Sequence, residues 1–219
     1  MICVLLAMVQ LQSYCAPKKN QKISTGSAIE SDENVVCIEG ERKHVTVLFS
    51  DMSGYTALSE SLDPEEVKEI TSRIFEKISD IVVQYEGFIE KFIGDAVMAL
   101  FGVPKAHEDD PVRAILAARH IHQAVAQLEG KIGHRLSMHS GISTGLVITG
   151  EVNLEHGTHG ISGDTINLAS RLEGLAPVGE IVVDQVTYQQ AEGYFTFEPL
   201  RPASIKGMAA SNRSIPFSD

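Results

Sequence analysis

The sequence predicts an α+β fold: a ferredoxin-like βαββαβ sandwich with additional C-terminal αβ elements, and with helices on one face of a mainly antiparallel sheet. Two observations favour this class. Short β-branched runs alternate with long segments of helical period, and two of these runs are separated by only two residues. The chain has 219 residues, of which 43% are hydrophobic, so it can bury one sizeable core.

The first predicted elements are a strand, a turn and a helix. Lys43–Ser50 (KHVTVLFS) is typical of a buried central strand, and the segment 51–56 (DMSGYT) is predicted to be a turn. The pair Asp63-Pro64 provides an N-cap and a first helical residue. Apolar residues then recur at helical spacing until Gly87, which is typical of a helix end.

A hairpin and a second helix follow. The apolar runs Phe88–Ile93 and Ala96–Gly102 flank the dipeptide Gly94-Asp95, and glycine at the first central position is typical of a type II′ turn. The second helix is predicted to begin at Asp110-Pro111, with the same capping chemistry, and to end near Gly130.

The last third of the chain is less regular. Leu136–Val152 is predicted to be a hairpin or a bent strand, broken by Gly141 and Gly145. A polar loop (EHGTHGISG) leads to a helix capped by Asp164 (TINLASRLEGLA). A strand (EIVVD), a short helix (DQVTYQQAEG) and an alternating strand (YFTFEPL) complete the elements.

The N-terminal part differs in character from the rest. Residues 1–40 are predicted to be an apolar start and a flexible linker, 41–210 the folded domain and 211–219 a C-terminal tail. Ile2–Val9 is too short for a membrane span and lacks the basic residues of a signal peptide, which leaves room for a weak membrane association or a misplaced start codon. All three cysteines precede residue 40, so no disulfide holds the core, and a reducing compartment fits.

Charge excludes one class of partner. The formal net charge is −11, and a negative protein repels phosphate backbones, so we expect no nucleic-acid partner.

Two aspartates form the strongest candidate site. Asp51 ends a strand and Asp95 lies in the adjacent hairpin turn, where their carboxylates could jointly bind a hard divalent cation such as Mg²⁺. The backbone N–H groups of the residues that follow Asp51 could then bind a polyphosphate; these residues are Met52, Ser53, Gly54, Tyr55 and Thr56. Each aspartate also has an ordinary alternative role, as a loop residue or a turn former.

Four more residues are candidates for binding a nucleotide. Asn167 and Arg171 are four residues apart on one helix face, where they could hold a ribose and a phosphate, although Arg171 could instead pair with Glu173. Lys91 lies within an apolar strand and could contact a base or extend into solvent. Lys206 is either a phosphate contact or a solvated loop lysine.

Four runs in this order resemble the class III adenylyl/guanylyl cyclase catalytic domain: VTVLFSDMSGYT, EKFIGDAVMALFG, GDTINLASRLEGLA and SIKGM. The resemblance extends over roughly residues 41–208. The phrases GERKHVTVLFSD, LDPEE and FGVPKAHEDDPVRA resemble most closely the bacterial modules that are parts of longer signalling proteins. The resemblance therefore implies that the domain is fused to, or regulated by, other signalling domains. The use of ATP as substrate implies a cytoplasmic location.

The resemblance also implies roles for individual residues. Asp51 and Asp95 match the aspartates that hold two Mg²⁺ or Mn²⁺ ions per active site. Lys91 matches the base-reading residue, which is lysine in ATP-specific members and glutamate in GTP-specific ones. Asn167 matches the residue that orients the ribose, and Arg171 matches the transition-state arginine.

Two further positions belong to the same comparison. Lys206 matches the lysine that contacts the terminal phosphates. The second base-reading position, Asp or Thr in most adenylyl cyclases, falls at Gly160, which has no side chain to accept the adenine amino proton. His159, Ser162 or a backbone carbonyl could substitute for it.

The resemblance implies an adenylate cyclase that converts ATP to 3′,5′-cyclic AMP and pyrophosphate in intracellular signal transduction. Family active sites combine residues of two subunits, and the chain has no internal repeat, so a homodimer with two composite sites is expected. Two alternatives stay open: a guanylate cyclase acting on GTP, and a catalytically silent nucleotide-binding regulatory domain. Gly160 and the unusual C-terminal run AASNRSIPFSD favour the silent domain.

Overall fold

The computed structural model describes residues 41–149, 161–199 and 213–215. The strands are β1 (Glu41–Ser53), β2 (Phe88–Ile93), β3 (Ala96–Phe101), β4 (Ser137–Thr149), β5 (Ile161–Ser162), β6 (Ile181–Val183), β7 (Glu198–Pro199) and β8 (Arg213–Ile215). The helices are α1 (Tyr55–Ser61), α2 (Pro64–Gln84), α3 (Asp110–Ile132), α4 (Asp164–Glu173) and α5 (Gln185–Ala191). None of these helices combines the length and apolar character that crossing a bilayer requires.

The strands form one sheet in the order β2-β3-β1-β4-β6-β8-β7, and β5 pairs with β4. Among the described strands, only the β4–β6 pair is parallel. The α+β class with its βαββαβ order and additional C-terminal elements is therefore confirmed. The segment 211–219, which was expected to be a tail, contributes the last strand, because β8 pairs with both β6 and β7.

β1 is longer than the predicted strand Lys43–Ser50, and β4 is one continuous strand within the predicted segment Leu136–Val152. β1 and β4 have 13 residues each and pair antiparallel from Glu41↔Thr149 to Ser53↔Ser137. The prediction that Gly141 and Gly145 break this segment is wrong. Gly141 provides room for a helix, because a Cβ atom there would overlap the backbone of α4.

Residues of β1 alternate between two apolar layers. Leu48 and Met52 belong to the larger buried cluster, which contains residues of α2 and α3. Val45, Val47 and Phe49 pack instead with a residue of α4. Since neighbouring residues of a strand point to opposite faces, α4 lies on the other face from α2 and α3. The predicted placement of all helices on one face is therefore wrong for α4.

The hairpin prediction is confirmed. β2 and β3 are joined by Gly94-Asp95, and Gly94 has a φ of 64°, the value that the first central position of a type II′ turn needs. The left-handed residue after α2 is Glu86, with φ 57°, rather than Gly87.

The three expected aspartate caps act differently from one another. Asp63 occupies the N-cap position of α2 without a side-chain capping bond. Asp164 is the first residue of α4, after Gly163 at the cap. Asp110 begins α3 and accepts the His107 N–H at 2.8 Å through Oδ2, which ties the incoming loop to the helix. Acids at these positions still interact favourably with the positive end of the helix dipole.

We predict that Gly141→Ala lowers the free energy of unfolding by about 1–3 kcal/mol, because the added methyl group must displace α4 from the sheet. Gly193→Ala is the matched control, since a Cβ there would meet nothing within 4 Å. Urea unfolding of both variants measures the difference. Equal stability of the two variants would show that α4 can move away from β4 at no cost.

Candidate functional site

The two predicted metal-binding aspartates lie on adjacent strands. Asp51 lies near the C-terminal end of β1, and Asp95 lies in the turn before β3, which pairs with β1 from Ser50↔Val97 onward. Partial burial, followed by the negative charge of Asp95, raises the pKa of Asp51 above its usual value. Two carboxylates that repel each other are a suitable donor set for a hard divalent cation. The residues present therefore fit the metal that the sequence predicts.

Two further residues lie next to Asp51. His139 is its partner across the β1–β4 ladder, and its Nε2 lies 3.7 Å from Asp51 Oδ2 and 2.8 Å from Glu173 Oε1. Glu173 is the last residue of α4. Its hydrogen bond to His139, together with the nearby negative charges, raises the pKa of His139 despite partial burial.

Sequence reasoning missed both His139 and Glu173 as parts of the site. It considered Glu173 only as a salt-bridge partner of Arg171. A signal would have required the β1–β4 register, which places His139 opposite Asp51, and the packing of α4, which brings Glu173 to the same edge. Neither follows from the spacing of residues along the chain.

A buried polar chain supports the sheet on the opposite face from Asp51. His122 Nε2 lies 2.7 Å from Ser140 Oγ, and Ser140 Oγ lies 2.7 Å from Ser50 Oγ. His122 Nδ1 is directed toward the Gly179 carbonyl at 3.4 Å. A neutral imidazole with its proton on Nδ1 can donate to Gly179 and accept from Ser140. These hydrogen bonds thus hold Ser50 and Ser140, the neighbours of Asp51 and His139 along their strands, in place.

The segment 52–56 is not the simple turn that was predicted. β1 continues through Ser53, Gly54 has a φ of 96°, and α1 begins at Tyr55. A Cβ atom on Gly54 would overlap the carbonyl oxygen of Arg135, so glycine is needed there both for its conformation and for space. The N–H groups at the start of α1 have no partner within the helix, as in any helix.

The remaining candidates lie in different surroundings. Lys91 is exposed on β2, after an irregularity in its pairing with β3. Asn167 and Arg171 are exposed on α4, on the side away from its buried residues. Gly160 and Lys206 lie outside the described residues.

The model of the adenylate and guanylate cyclase catalytic domain family matches residues 38–215. The chain belongs to this family. The resemblance seen in the sequence is thus confirmed, and the pair Asp51 and Asp95 belongs to a cyclase catalytic domain.

Similarity to individual cyclases supports the same family membership. Adenylate cyclase 1 of Rhizobium meliloti is 32% identical over 177 residues, which cover 78% of this chain and 27% of that protein. The crystal structure of the adenylyl cyclase CyaB from P. aeruginosa has a TM-score of 0.77 at 29% identity, covering 83% of this chain and 98% of that chain. The guanylyl cyclase Cya2 has a TM-score of 0.73 at 30% identity, covering 80% of this chain and 92% of that chain.

The cyclase domain is shorter than its curated relatives. It spans 27% of the Rhizobium enzyme and 40% of an adenylate cyclase of Mycobacterium bovis. The similarity therefore concerns the catalytic domain of those proteins.

We predict that the contribution of His122 to the stability of the cyclase domain falls as the pH is lowered from about 6.5 to 4. Burial lowers the pKa of His122 from 6.5 to about 4. The unfolded chain therefore takes up a proton in this window that the folded chain does not, at a cost to stability of about 3 kcal/mol.

His122→Gln isolates this effect, because glutamine can keep a hydrogen bond to Ser140 and does not titrate. Urea unfolding of both proteins at pH 7 and pH 4.5 gives the measurement. The variant should lose less stability than the parent on acidification. Equal losses would contradict a neutral, buried His122.

Proposed function

We propose that this cyclase domain converts ATP to 3′,5′-cyclic AMP and pyrophosphate in intracellular signal transduction, with two Mg²⁺ or Mn²⁺ ions in each active site of a homodimer. The observation that carries the proposal is the approach of Asp51 and Asp95 on adjacent strands, where each carboxylate raises the local negative charge. Such a pair is suited to holding cations beside a triphosphate.

The reaction is an intramolecular substitution at phosphorus. The ribose 3′-oxygen loses its proton and attacks the α-phosphorus, and the bond to the pyrophosphate leaving group breaks. Bound Mg²⁺ or Mn²⁺ would activate the 3′-oxygen and neutralise the triphosphate. Asn167 would orient the ribose, and Arg171 would stabilise the charge that develops on the α-phosphate. Lys206 would contact the terminal phosphates, together with the backbone N–H groups of 52–56.

Lys91 supports ATP as the substrate. Its ammonium group can donate to N1 of adenine, whereas N1 of guanine carries a proton and offers no acceptor there. The exposed position of Lys91 on β2 leaves it accessible to a base. Similar proteins bear both activities in their names, since CyaB is an adenylyl cyclase and Cya2 is a guanylyl cyclase. GTP is therefore the alternative substrate.

The arrangement of α4 supports a composite site. Within one chain, α4 approaches Asp51 through Glu173 at its C-terminal end. Asn167 and Arg171 lie on the exposed side of the same helix. A second copy related by two-fold symmetry could take up these two side chains in its own active site, and each copy would then complete the other.

We predict turnover of ATP to cyclic AMP that exceeds turnover of GTP, with Mn²⁺ or Mg²⁺ present. Asp51→Asn should reduce the rate by at least about 100-fold, because one metal-binding carboxylate is lost. Product analysis by chromatography measures both. No cyclic nucleotide from either substrate would favour the silent regulatory domain, and a faster reaction with GTP would identify a guanylate cyclase.

We predict that two inactive variants complement each other. Asp51→Asn and Arg171→Ala impair opposite halves of the composite site, so a heterodimer keeps one intact site. An equal mixture should regain about a quarter of the parent activity, given random pairing of subunits. Asp51→Asn mixed with Asp95→Asn is the control, since both changes affect the same half. Failure of the first mixture, with subunit exchange verified, would contradict the shared site.

A further inference from the structure

We propose that Asp51, His139 and Glu173 form a transition-metal site that binds a borderline cation such as Zn²⁺ or Co²⁺. We propose further that its occupation withdraws Asp51 from its pairing with Asp95 and inhibits the cyclase. Binding is independent of the proposed activity, whereas inhibition rests on it. The site differs in chemistry from the Asp51–Asp95 pair, because it contains an imidazole.

The three donors come from three elements and converge on one point. Asp51 lies in β1, His139 in β4 and Glu173 at the end of α4, and their ligand atoms all lie within 4.8 Å of one another. His139 Nε2 lies 2.8 Å from the Glu173 oxygen and 3.7 Å from the Asp51 oxygen. A cation with bonds of about 2 Å separates its ligand atoms by about 3 Å, so small side-chain shifts suffice.

The second nitrogen of His139 is already in use. Its Nδ1 lies 3.1 Å from Ser53 Oγ, the hydroxyl group of the last residue of β1. In the metal-free protein the Nε2–H group donates to Glu173. A cation displaces this proton, and the proton that stays on Nδ1, donated to the Ser53 hydroxyl, then leaves the lone pair of Nε2 directed at the cation. Histidine ligands in metal sites are typically oriented by such a hydrogen bond.

The donor set indicates which cations bind. One imidazole and two carboxylates suit Zn²⁺ and Co²⁺, whereas Mg²⁺ prefers oxygen ligands in octahedral geometry. All three side chains are partly exposed, at 31% for Asp51, 15% for His139 and 17% for Glu173, so a cation can enter from solvent. Three protein ligands leave a position open for water.

Sharing of Asp51 links the site to catalysis. A carboxylate that ligates a cation beside His139 and Glu173 carries less negative charge toward Asp95. The Mg²⁺ or Mn²⁺ ions that Asp51 and Asp95 would hold are then bound more weakly, and the rate of cyclic nucleotide formation falls. Zn²⁺ should therefore act as an inhibitor that competes with Mg²⁺ or Mn²⁺.

Co²⁺ titration followed by visible absorption tests binding directly, without nucleotide and without turnover. The full chain is used with Cys3, Cys15 and Cys37 replaced by serine, because thiolates also bind these ions. Zn²⁺ is then added to displace Co²⁺. Circular dichroism verifies that each variant is folded.

We expect one Co²⁺ per chain, bound at least about tenfold more weakly in both His139→Gln and Glu173→Gln. Two control variants should bind Co²⁺ as tightly as the parent does. Asp95→Asn leaves the three ligands intact, and His120→Gln changes an exposed histidine that is hydrogen-bonded to Tyr85. If one of the two ligand variants does not fold, the Co²⁺ affinity of the other still tests the proposed site.

Three results would overturn the proposal: no Co²⁺ binding, unchanged affinity in a folded ligand variant, or an equal loss in Asp95→Asn. The last would assign the cation to the aspartate pair. Inhibition is then measured as the Zn²⁺ concentration that halves turnover, with each protein normalised to its own rate without Zn²⁺. This concentration should be higher for His139→Gln than for the parent. Absence of turnover in the parent would refute the cyclase activity and leave the binding result standing.

Discussion

The antiparallel pairing of β1 with β4 determines most of what surrounds the candidate site. The register places His139 opposite Asp51, Ser140 opposite Ser50 and Gly141 opposite Phe49. A shift of one residue would turn every side chain of one strand to the other face. It would separate Asp51 from His139 and place a side chain where α4 needs bare backbone. The register is therefore the constraint on which both packing and chemistry depend.

Alternation along these strands separates structural from chemical tasks. Ser50 and Ser140 face the buried layer of α3, where His122 completes a hydrogen-bonded chain shielded from water. Asp51 and His139, one position further, face the layer of α4 and are partly exposed. A buried neutral network lies behind one face of the strand ends while charged groups gather on the other. The hydrogen bonds of His122, Ser140 and Ser50 stabilise the strand ends on the buried face, so the carboxylates on the other face can stay close together.

Local features of the chain were predictable, and long-range ones were not. The Gly94-Asp95 turn and the strand that carries Asp51 follow from residue types a few positions apart, and the structure has both. The side of the sheet on which α4 packs depends on Gly141, which in sequence reads as a strand breaker. Glu173 reached the site only through that packing. Its role depends on tertiary contacts that no local pattern encodes.

The concentration of negative charge at this site bears on what it can accept. Asp51, Asp95 and Glu173 lie close enough for the last two to raise the pKa of the first, in a chain with a net charge of −11. A nucleoside triphosphate is itself strongly anionic, so such a site repels it unless cations enter as well. Substrate and metal binding should therefore be strongly coupled. The same charge distribution that is expected to disfavour nucleic acid makes the site depend on its cations. Among the described residues, His139 lowers the pKa of Asp51 through its charge and can partly offset the negative charge when cations are absent.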